Sequence, residues 1–451
     1  MLIKITLMRI SMNNDTICAI ATPVGGALCV IRVSGGRVRE IYAALVGGAP
    51  TAGRIRFARL KGKDGETLDE AMCAFFAAPK SYTGEDMLEL YTHGGAYVVS
   101  AVSERLYGLG ARQAEAGEFT RRAFVNGKLD LAQAESVIDV ISATSRGAAR
   151  AALDQLEGKL SDVVSRLEGE LIDALSGVDA ALDYPDELDE DVYSHLPAAL
   201  NGVAQRLERL RQDGLGGRVL REGALVTIVG APNAGKSSLM NALIGRPRAI
   251  VTEFAGTTRD VLEEQLSISG IPVRLADTAG LHDAHDPVER IGIERARAYI
   301  DKADLLLVSF DSSKPWDGGC EELKSLCSAR SAIAVITKSD IGGASDYEHR
   351  LRAFFENVCV ISTLTGEGLD GLKAAIARCI APPESTLVTN MRHVEAISDA
   401  LAAVNDARLA DEPDCIATDI RAALSALARI TGREVDEDVI DAVFSRFCVG
   451  K

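Results

Sequence analysis

Gly230-Ala231-Pro232-Asn233-Ala234-Gly235-Lys236-Ser237 matches GxxxxGK[ST], and its flanks decide the architecture of the middle of the chain. ALVTIVG, ending at Gly230, reads as an apolar strand, and the following SSLMNALIG reads as a helix. Strand, loop and helix in that order let backbone N–H groups close on phosphate oxygens, with the positive end of the helix behind them. The expected nucleotide contacts are Asn233, Ala234, Gly235, Lys236, Ser237 and Ser238. Lys236 is expected on the β- and γ-phosphates, as a catalytic as well as a binding group, and the Ser237 hydroxyl on Mg²⁺.

Outward from this loop the texture is consistent. PVRLADTAG, DLLLVSFD, AIAVITKSD and NVCVIST alternate with helical segments, the pattern of a mostly parallel sheet covered by helices. Asp277, Thr278, Ala279 and Gly280 follow one strand, where an acid can hold Mg²⁺ through water and the glycine amide can sense a γ-phosphate. Thr337, Lys338, Ser339 and Asp340 follow another. A carboxylate at Asp340 accepts the paired N–H donors of guanine, which adenine lacks, so the expected base is guanine. The usual form is NKxD; Thr337 keeps a hydroxyl and loses an amide. Ser362, Thr363 and Leu364 are expected beside the base. The loop TEFAGTTRD brings Thr252, Gly256, Thr257 and Thr258 into the nucleotide set, with Thr258 as second Mg²⁺ ligand. Leu281 stands where a water-positioning glutamine would follow the DxxG, so hydrolysis needs another device, and a monovalent cation between the phosphates can supply the charge. Asn233 and main-chain carbonyls of the TEFAGTTRD loop are suitable oxygen ligands for it. His282, Asp283, His285 and Asp286 read as a polar loop rather than a metal cluster, since no distant third ligand presents itself.

The rest of the chain frames this unit. Residues 15 to about 125 carry strand-like runs, CAIATP, ALCVIRVSG, EAMCAFFAAP and LELYTHGG, between Gly-rich turns. Leu153, Leu156, Leu160, Val163, Leu167 and Leu171 form the stripe of an amphipathic helix. DYPDELDED breaks it as a loop, and helical patterning resumes after Ala381-Pro382-Pro383 to the C-terminus. The fold class expected is multidomain α+β: an N-terminal α/β domain at 1–127, a helical domain at 128–222 and 382–451, and a Ras-like α/β P-loop GTPase domain at 223–381 interrupting it. With 451 residues, 47% hydrophobic, the chain can bury several cores. Nine scattered cysteines without CxxC read as reduced thiols, hence a cytoplasmic protein. No run reaches the roughly 20 apolar residues of a membrane helix. The opening MLIKITLMRI lacks the form of a signal peptide, and the start is open between Met1 and Met12, the latter reading making the residues before it an upstream extension. A net charge of −16 argues against broad electrostatic binding of nucleic acid; a local basic patch or a partner must supply any such attraction. The terminal Phe447-Cys448-Val449-Gly450-Lys451 is not a prenylation signal, because Gly450 is not aliphatic and Lys451 is charged.

DTICAIATP with IRVSG, SYTGEDMLELYTHGG, GEFTRRAFVNGKLDLAQAE, GAPNAGKSSLMNAL, AGTTRD, DTAGLHDAHDPVERIGIERA and FCVGK, in this order, resemble the signatures of the MnmE (TrmE) family of tRNA-modification GTPases over nearly the whole length. The resemblance implies an N-terminal domain that dimerises and binds a tetrahydrofolate (5,10-methylene or 5-formyl), a helical domain split by the G domain, and K⁺-stimulated GTP hydrolysis with Mg²⁺. It implies a flavoprotein partner, MnmG, which carries the FAD in a heterotetramer. The product is an aminomethyl or carboxymethylaminomethyl group on C5 of wobble uridine in certain tRNAs. Carried onto this sequence, the K⁺ ligands fall on Asn233, Thr252, Phe254 and Thr257, and the residue orienting the attacking water falls on Glu289. Folate contacts fall on Arg32, Glu89, Lys128 and Lys451. Cys448 joins the site as a nucleophile towards uracil C6 or as a thiol beside it. By its own sequence Glu289 is also an ordinary acid opening the helix VERIGIERARAYI. The turn VGGALC before Arg32 is shorter than the family's usual form. Two other readings stand beside this one: a GTP-gated ribosome or RNA assembly switch like Era or Der, without folate chemistry, and a folate-only aminomethyltransferase with a vestigial G domain.

Overall fold

The computed structural model describes residues 15–183, 195–245, 263–277, 299–327, 330–381 and 386–451. They fall into two compact units: one holds the N-terminal residues through 142, residues 152–208 and 395–451, the other residues 143–151 and 209–394.

In the first unit, β1 (Thr16–Ile20) and β2 (Leu28–Gly35) lead into α1 (Val38–Leu45), whose buried Val38, Ile41, Tyr42 and Leu45 repeat at helical spacing. β3 (Ile55–Lys61), β4 (Thr67–Phe76) and β5 (Met87–His93) follow, then α2 (Ala96–Gly108), the short β6 (Arg112–Gln113) and α3 (Glu118–Val125). The six strands form one sheet in the order β3-β4-β5-β2-β1-β6, antiparallel except for the β1–β6 pair. One face is closed by α1 and α2 over a core that includes Cys29, Ile31, Val33, Leu60, Leu88, Leu90, Val102 and Leu106.

Helices α4 (Leu131–Ser142), α5 (Arg146–Leu156), α6 (Lys159–Asp183) and α7 (Leu196–Glu222) come next. The expected stripe over 153–171 is therefore two helices. Gly158, at φ +89°, turns the chain between Leu156 and Lys159, which leaves Leu153 exposed. Within α6, Leu160, Val164, Leu167 and Leu171 are buried, so the inward position is Val164 rather than Val163. DYPDELDED lies almost entirely outside the described residues.

The second unit carries the alternating pattern. β7 (Ala224–Gly230) runs into α8 (Lys236–Ile244); then come β8 (Glu263–Ile268), β9 (Ile271–Asp277), β10 (Leu305–Asp311), α9 (Gly318–Cys327), β11 (Ala332–Thr337), α10 (Ala344–Leu351), β12 (Asn357–Val360) and α11 (Leu369–Cys379). The sheet order is β12-β11-β10-β7-β9-β8, parallel apart from the edge strand β8, which pairs antiparallel with β9. β10 and β11 are apolar along nearly their whole length because helices cover both faces. β7 lies where the order reverses, so the loop after it opens at the switch point, the usual ligand position of such sheets.

α12 (Met391–Leu409), α13 (Pro413–Thr431) and α14 (Glu437–Phe444) complete the chain. α13 packs along α6, joined by Arg421 to Asp179 at 2.7 Å and by Arg433 to Glu168. The apolar runs identified the parallel strands of the second unit, β7, β9, β10, β11 and β12. They did not reveal α1, α2 and α3, nor β3 and β8, whose exposed faces are charged and blur the alternation.

Candidate functional site

The GxxxxGK[ST] stretch forms the loop between β7 and α8. Asn233 at φ +61° and Gly235 at φ +82° give it left-handed backbone at two positions. Lys236 is almost fully buried, and its Nζ donates to the Gly230 and Ala231 carbonyls, both at 2.9 Å. Burial pushes its pKa down, against the opposing pull of Asp277. The Ser237 hydroxyl donates to Asp277 Oδ2 at 3.0 Å, so the two residues expected around Mg²⁺ come together as oxygen donors. A hydroxyl beside a buried carboxylate fits a hard divalent cation. Ser238 lies on the first turn of α8.

Thr337 is buried, with its side chain engaged by main-chain carbonyls. Its hydroxyl lies 2.9 Å from the Ala234 carbonyl and 3.1 Å from that of Phe310, tying the loop after β11 to both the phosphate loop and β10. Lys338, at φ +59°, donates to the Asn233 carbonyl at 3.2 Å and to Asp311 Oδ2 at 2.7 Å. Burial pushes the Asp311 carboxyl up, but bonds from Lys338 and Ser313 outweigh it and hold it below the usual range. Ser362 is buried and donates to Asp340 Oδ1 at 2.6 Å, orienting that carboxylate while Asp340 itself stays exposed. Thr363 and Leu364 continue from Ser362, with Leu364 on the surface. Sequence reasoning missed Asp311; its signal was an acid ending an apolar strand, as Asp277 ends another.

Thr252, Phe254, Gly256, Thr257, Thr258, Thr278, Ala279, Gly280, Leu281 and Glu289 lie outside the described residues, as do His282, Asp283, His285 and Asp286.

A second cluster forms on the first sheet. Arg32 and Glu89 are opposite one another on β2 and β5, with Arg32 Nε donating to Glu89 Oε1 at 2.9 Å. The Tyr91 hydroxyl donates to Glu89 Oε2 at 2.6 Å, so both carboxylate oxygens are held. That bond, with burial second, pushes Tyr91 up to about 12. The C-terminal residues reach the same place. Val449 pairs with Ala116, the Gly117 N–H lies 3.5 Å from the Cys448 carbonyl, and Arg32 Nη1 donates to the Gly450 carbonyl at 3.3 Å. Lys451 is half-buried; burial and Arg32 push its pKa down, partly offset by Glu89 and Cys448. The Cys448 side chain is exposed. Lys128 instead reaches the Pro79 carbonyl at 3.1 Å, in the loop before β5. The short turn before β2 is seated on Gly94, through Gly25 N–H to the Gly94 carbonyl at 2.8 Å. Tyr91 was missed by sequence reasoning, although alternation along LELYTHGG places it on the face of Glu89.

This cluster suits a ligand with both donors and acceptors. A held carboxylate, a guanidinium and an ammonium of lowered pKa converge there, with a thiol on the adjoining tail.

Two family descriptions match the chain: "GTP-binding protein TrmE N-terminus" over residues 16–128 and "MnmE helical domain" over residues 131–448. The tRNA modification GTPase MnmE of Roseiflexus castenholzii is 40% identical over 468 residues, covering 98% of this chain and 100% of that one. The protein of the same name from an Azoarcus species is 42% identical over 446 residues, covering 97% and 98%. Among solved structures, Era in complex with MgGDPNP and a segment of 16S ribosomal RNA is 28% identical over 42% of this chain and 69% of its own, with a TM-score of 0.30. Relatives that align from end to end at this identity, and family descriptions that take up both parts of the chain, agree: this protein belongs to the MnmE family of tRNA modification GTPases.

Proposed function

We propose that the chain hydrolyses GTP with Mg²⁺ and K⁺ and, with the flavoprotein MnmG, uses a tetrahydrofolate one-carbon unit to build the aminomethyl or carboxymethylaminomethyl group on C5 of wobble uridine in tRNA. The observation that carries this reading is the Lys236–Ser237–Asp277 arrangement at the end of β7 in a chain whose last residues dock beside Arg32 and Glu89. Lys236 and the loop amides bind the phosphates, and Ser237 with Asp277 orients the Mg²⁺ ligand shell. Asp340, held by Ser362, selects guanine. Asn233 offers an exposed amide oxygen for K⁺, which supplies positive charge at the phosphates; Thr252, Phe254 and Thr257 complete that set. Glu289 orients water, in place of the glutamine that Leu281 replaces. Arg32, Glu89 and Lys451 would hold the folate from one cluster and Lys128 from its place by Pro79, and the Cys448 thiol would serve the reacting base. The assignment of residues 1–127 to folate binding and dimerisation, 128–222 with 382–451 to the helical domain, and 223–381 to the G domain belongs to the same reading. So do a homodimer, a heterotetramer with MnmG that brings the FAD, and a cytoplasmic location.

The test is complementation of cells lacking this protein, with wobble uridine measured by mass spectrometry and hydrolysis measured on the purified chains. Wild type should restore the modified base and hydrolyse GTP faster in K⁺ than in Na⁺ at equal ionic strength. Lys236→Ala should do neither. Full modification by Lys236→Ala would make the G domain dispensable, and equal rates in the two salts would remove K⁺ from the mechanism.

A further inference from the structure

We propose that Asp311 is a positioning residue of the nucleotide site: its carboxylate fixes Lys338, and through Lys338 it holds the loops after β7 and β11 in the one arrangement that binds guanine nucleotides. This rests on the reading of the loop after β11 as the base-recognising loop. It adds the group that keeps that loop in register with the phosphate loop.

The topology puts Asp311 between the two loops. β10 lies between β7 and β11 in the sheet, and Asp311 is its last residue. Thr337, which ends β11, is its direct partner, and Ser309, two residues earlier, is paired with Gly230, which ends β7. The chains leaving β7 and β11 therefore pass on either side of one carboxylate. The Asp311 side chain is 6% exposed and that of Lys338 33%, so their contact at 2.7 Å is shielded from solvent and salt. Lys338 spans the gap, with the same Nζ on the Asn233 carbonyl at 3.2 Å. Among the described residues no other carboxylate pairs with Lys338.

Both loops need such a tie. Asn233 at φ +61° and Lys338 at φ +59° are two of the three non-glycine residues with left-handed backbone among those described. That conformation is disfavoured for a residue with a Cβ and persists only where the surroundings fix it. One hydrogen bond joins the two residues, and Asp311 anchors it. The carboxylate is itself immobilised. Ser313 donates its N–H at 3.0 Å and its hydroxyl at 2.6 Å, both to Oδ1, which leaves Oδ2 for Lys338. The Ser312 hydroxyl donates to the Thr337 carbonyl at 2.9 Å, and a Cβ on Gly343 would lie 2.2 Å from the Ser312 carbonyl. The segment leaving Asp311 is thus packed against the base-side loop. Without the carboxylate, Lys338 keeps a single carbonyl partner and both loops can relax. A site whose competent arrangement is only partly populated binds more weakly in that proportion, while the bound state is unchanged. Asp311 therefore acts on affinity and not on the chemical step.

Titration of the full chain with fluorescent GTP and GDP analogues tests this, together with steady-state hydrolysis and thermal melting followed by the emission of Trp316, the one tryptophan of the chain. Asp311→Asn keeps the size and the acceptor for Ser313 and removes the charge. It should weaken GTP and GDP equally, by about tenfold, and raise KM while kcat at saturating GTP stays within about twofold. Ser313→Ala, which only loosens the carboxylate, should weaken both by about threefold. Lys338→Gln should also bind more weakly than wild type. The double variant should then bind no more weakly than Lys338→Gln alone, because one residue acts through the other. Wild-type affinity in Asp311→Asn overturns the proposal, even where the variant melts earlier, since the pair would then serve stability only. Losses that multiply in the double variant overturn it too, as does a fall in kcat with KM unchanged. Should Asp311→Asn not fold, wild-type affinity in Ser313→Ala overturns it instead. Wild-type affinity in Lys338→Gln is a different failure, which removes the base-loop reading and the proposal with it.

Discussion

Thr337 stands where an asparagine is usual, and its side chain has a mechanical task. From its buried position the hydroxyl serves the carbonyls of Ala234 and Phe310, while Lys338 holds the carbonyl of Asn233. The guanine loop and the phosphate loop are thereby braced together, so the missing amide leaves the brace between them intact. Thr337→Val keeps the shape and removes the donor. Leaving those buried carbonyls short of a partner costs about 1–2 kcal/mol. GTP affinity is expected to fall about tenfold, read by titration with a fluorescent analogue; affinity equal to wild type would show that the brace is not needed.

At the scale of elements the informative piece is the tail after α14. Phe447 is buried with Leu131, Ala134, Ile440 and Phe444, which sets the direction of the last four residues. Gly450 then takes φ +96°, and a Cβ there would lie 2.5 Å from the Ile20 carbonyl on β1. Only glycine lets the chain pass so close and still present its own carbonyl to Arg32. Gly450→Ala should lift residues 448–451 from the sheet while α14 stays in place. Faster amide exchange in the tail, a reduced-folate affinity lower by about tenfold and an unchanged melting temperature are the expected set. Wild-type exchange in this variant would mean that the close approach is not required.

At the scale of the whole molecule, the net charge of −16 is not spread evenly in its consequences. In the first unit, Arg122 is completely buried and bonded to Asp15, Glu85 and Glu118; Arg112 also pairs with Asp15 and Glu118. Burial pushes the Glu118 carboxyl up, but hydrogen bonds from Arg112, the Glu115 N–H and Arg122 outweigh it and lower its pKa. A carboxylate with a depressed folded pKa contributes stability above its unfolded value, about 4.3, and that contribution is lost as pH falls through the folded value. The unit should therefore melt progressively earlier below about pH 4, and Arg122→Met should already melt earlier at neutral pH because Asp15, Glu85 and Glu118 each lose a guanidinium, with Arg112 left to Asp15 and Glu118 alone. Differential scanning calorimetry across pH checks both; a melting temperature flat from pH 5 to 3 would contradict the assignment.

The sequence by itself determined the phosphate loop, the alternating strands around it and the family, because these are local: a spacing, a run of apolar residues, a motif of eight positions. It also named Arg32, Glu89 and Lys451, through resemblance. Only the tertiary structure decided that Arg32 and Glu89 pair across two strands, that Tyr91 locks the carboxylate, and that a carbonyl 418 positions away accepts from the same guanidinium. The same holds for Gly214 and Gly217 within α7. They look like helix breakers, yet a Cβ at either would collide with Val388, and that close approach keeps the segment before α12 against the helix. Spacing along a chain records which residues share an element. Which elements meet is set by burial, and burial is a property of the folded whole.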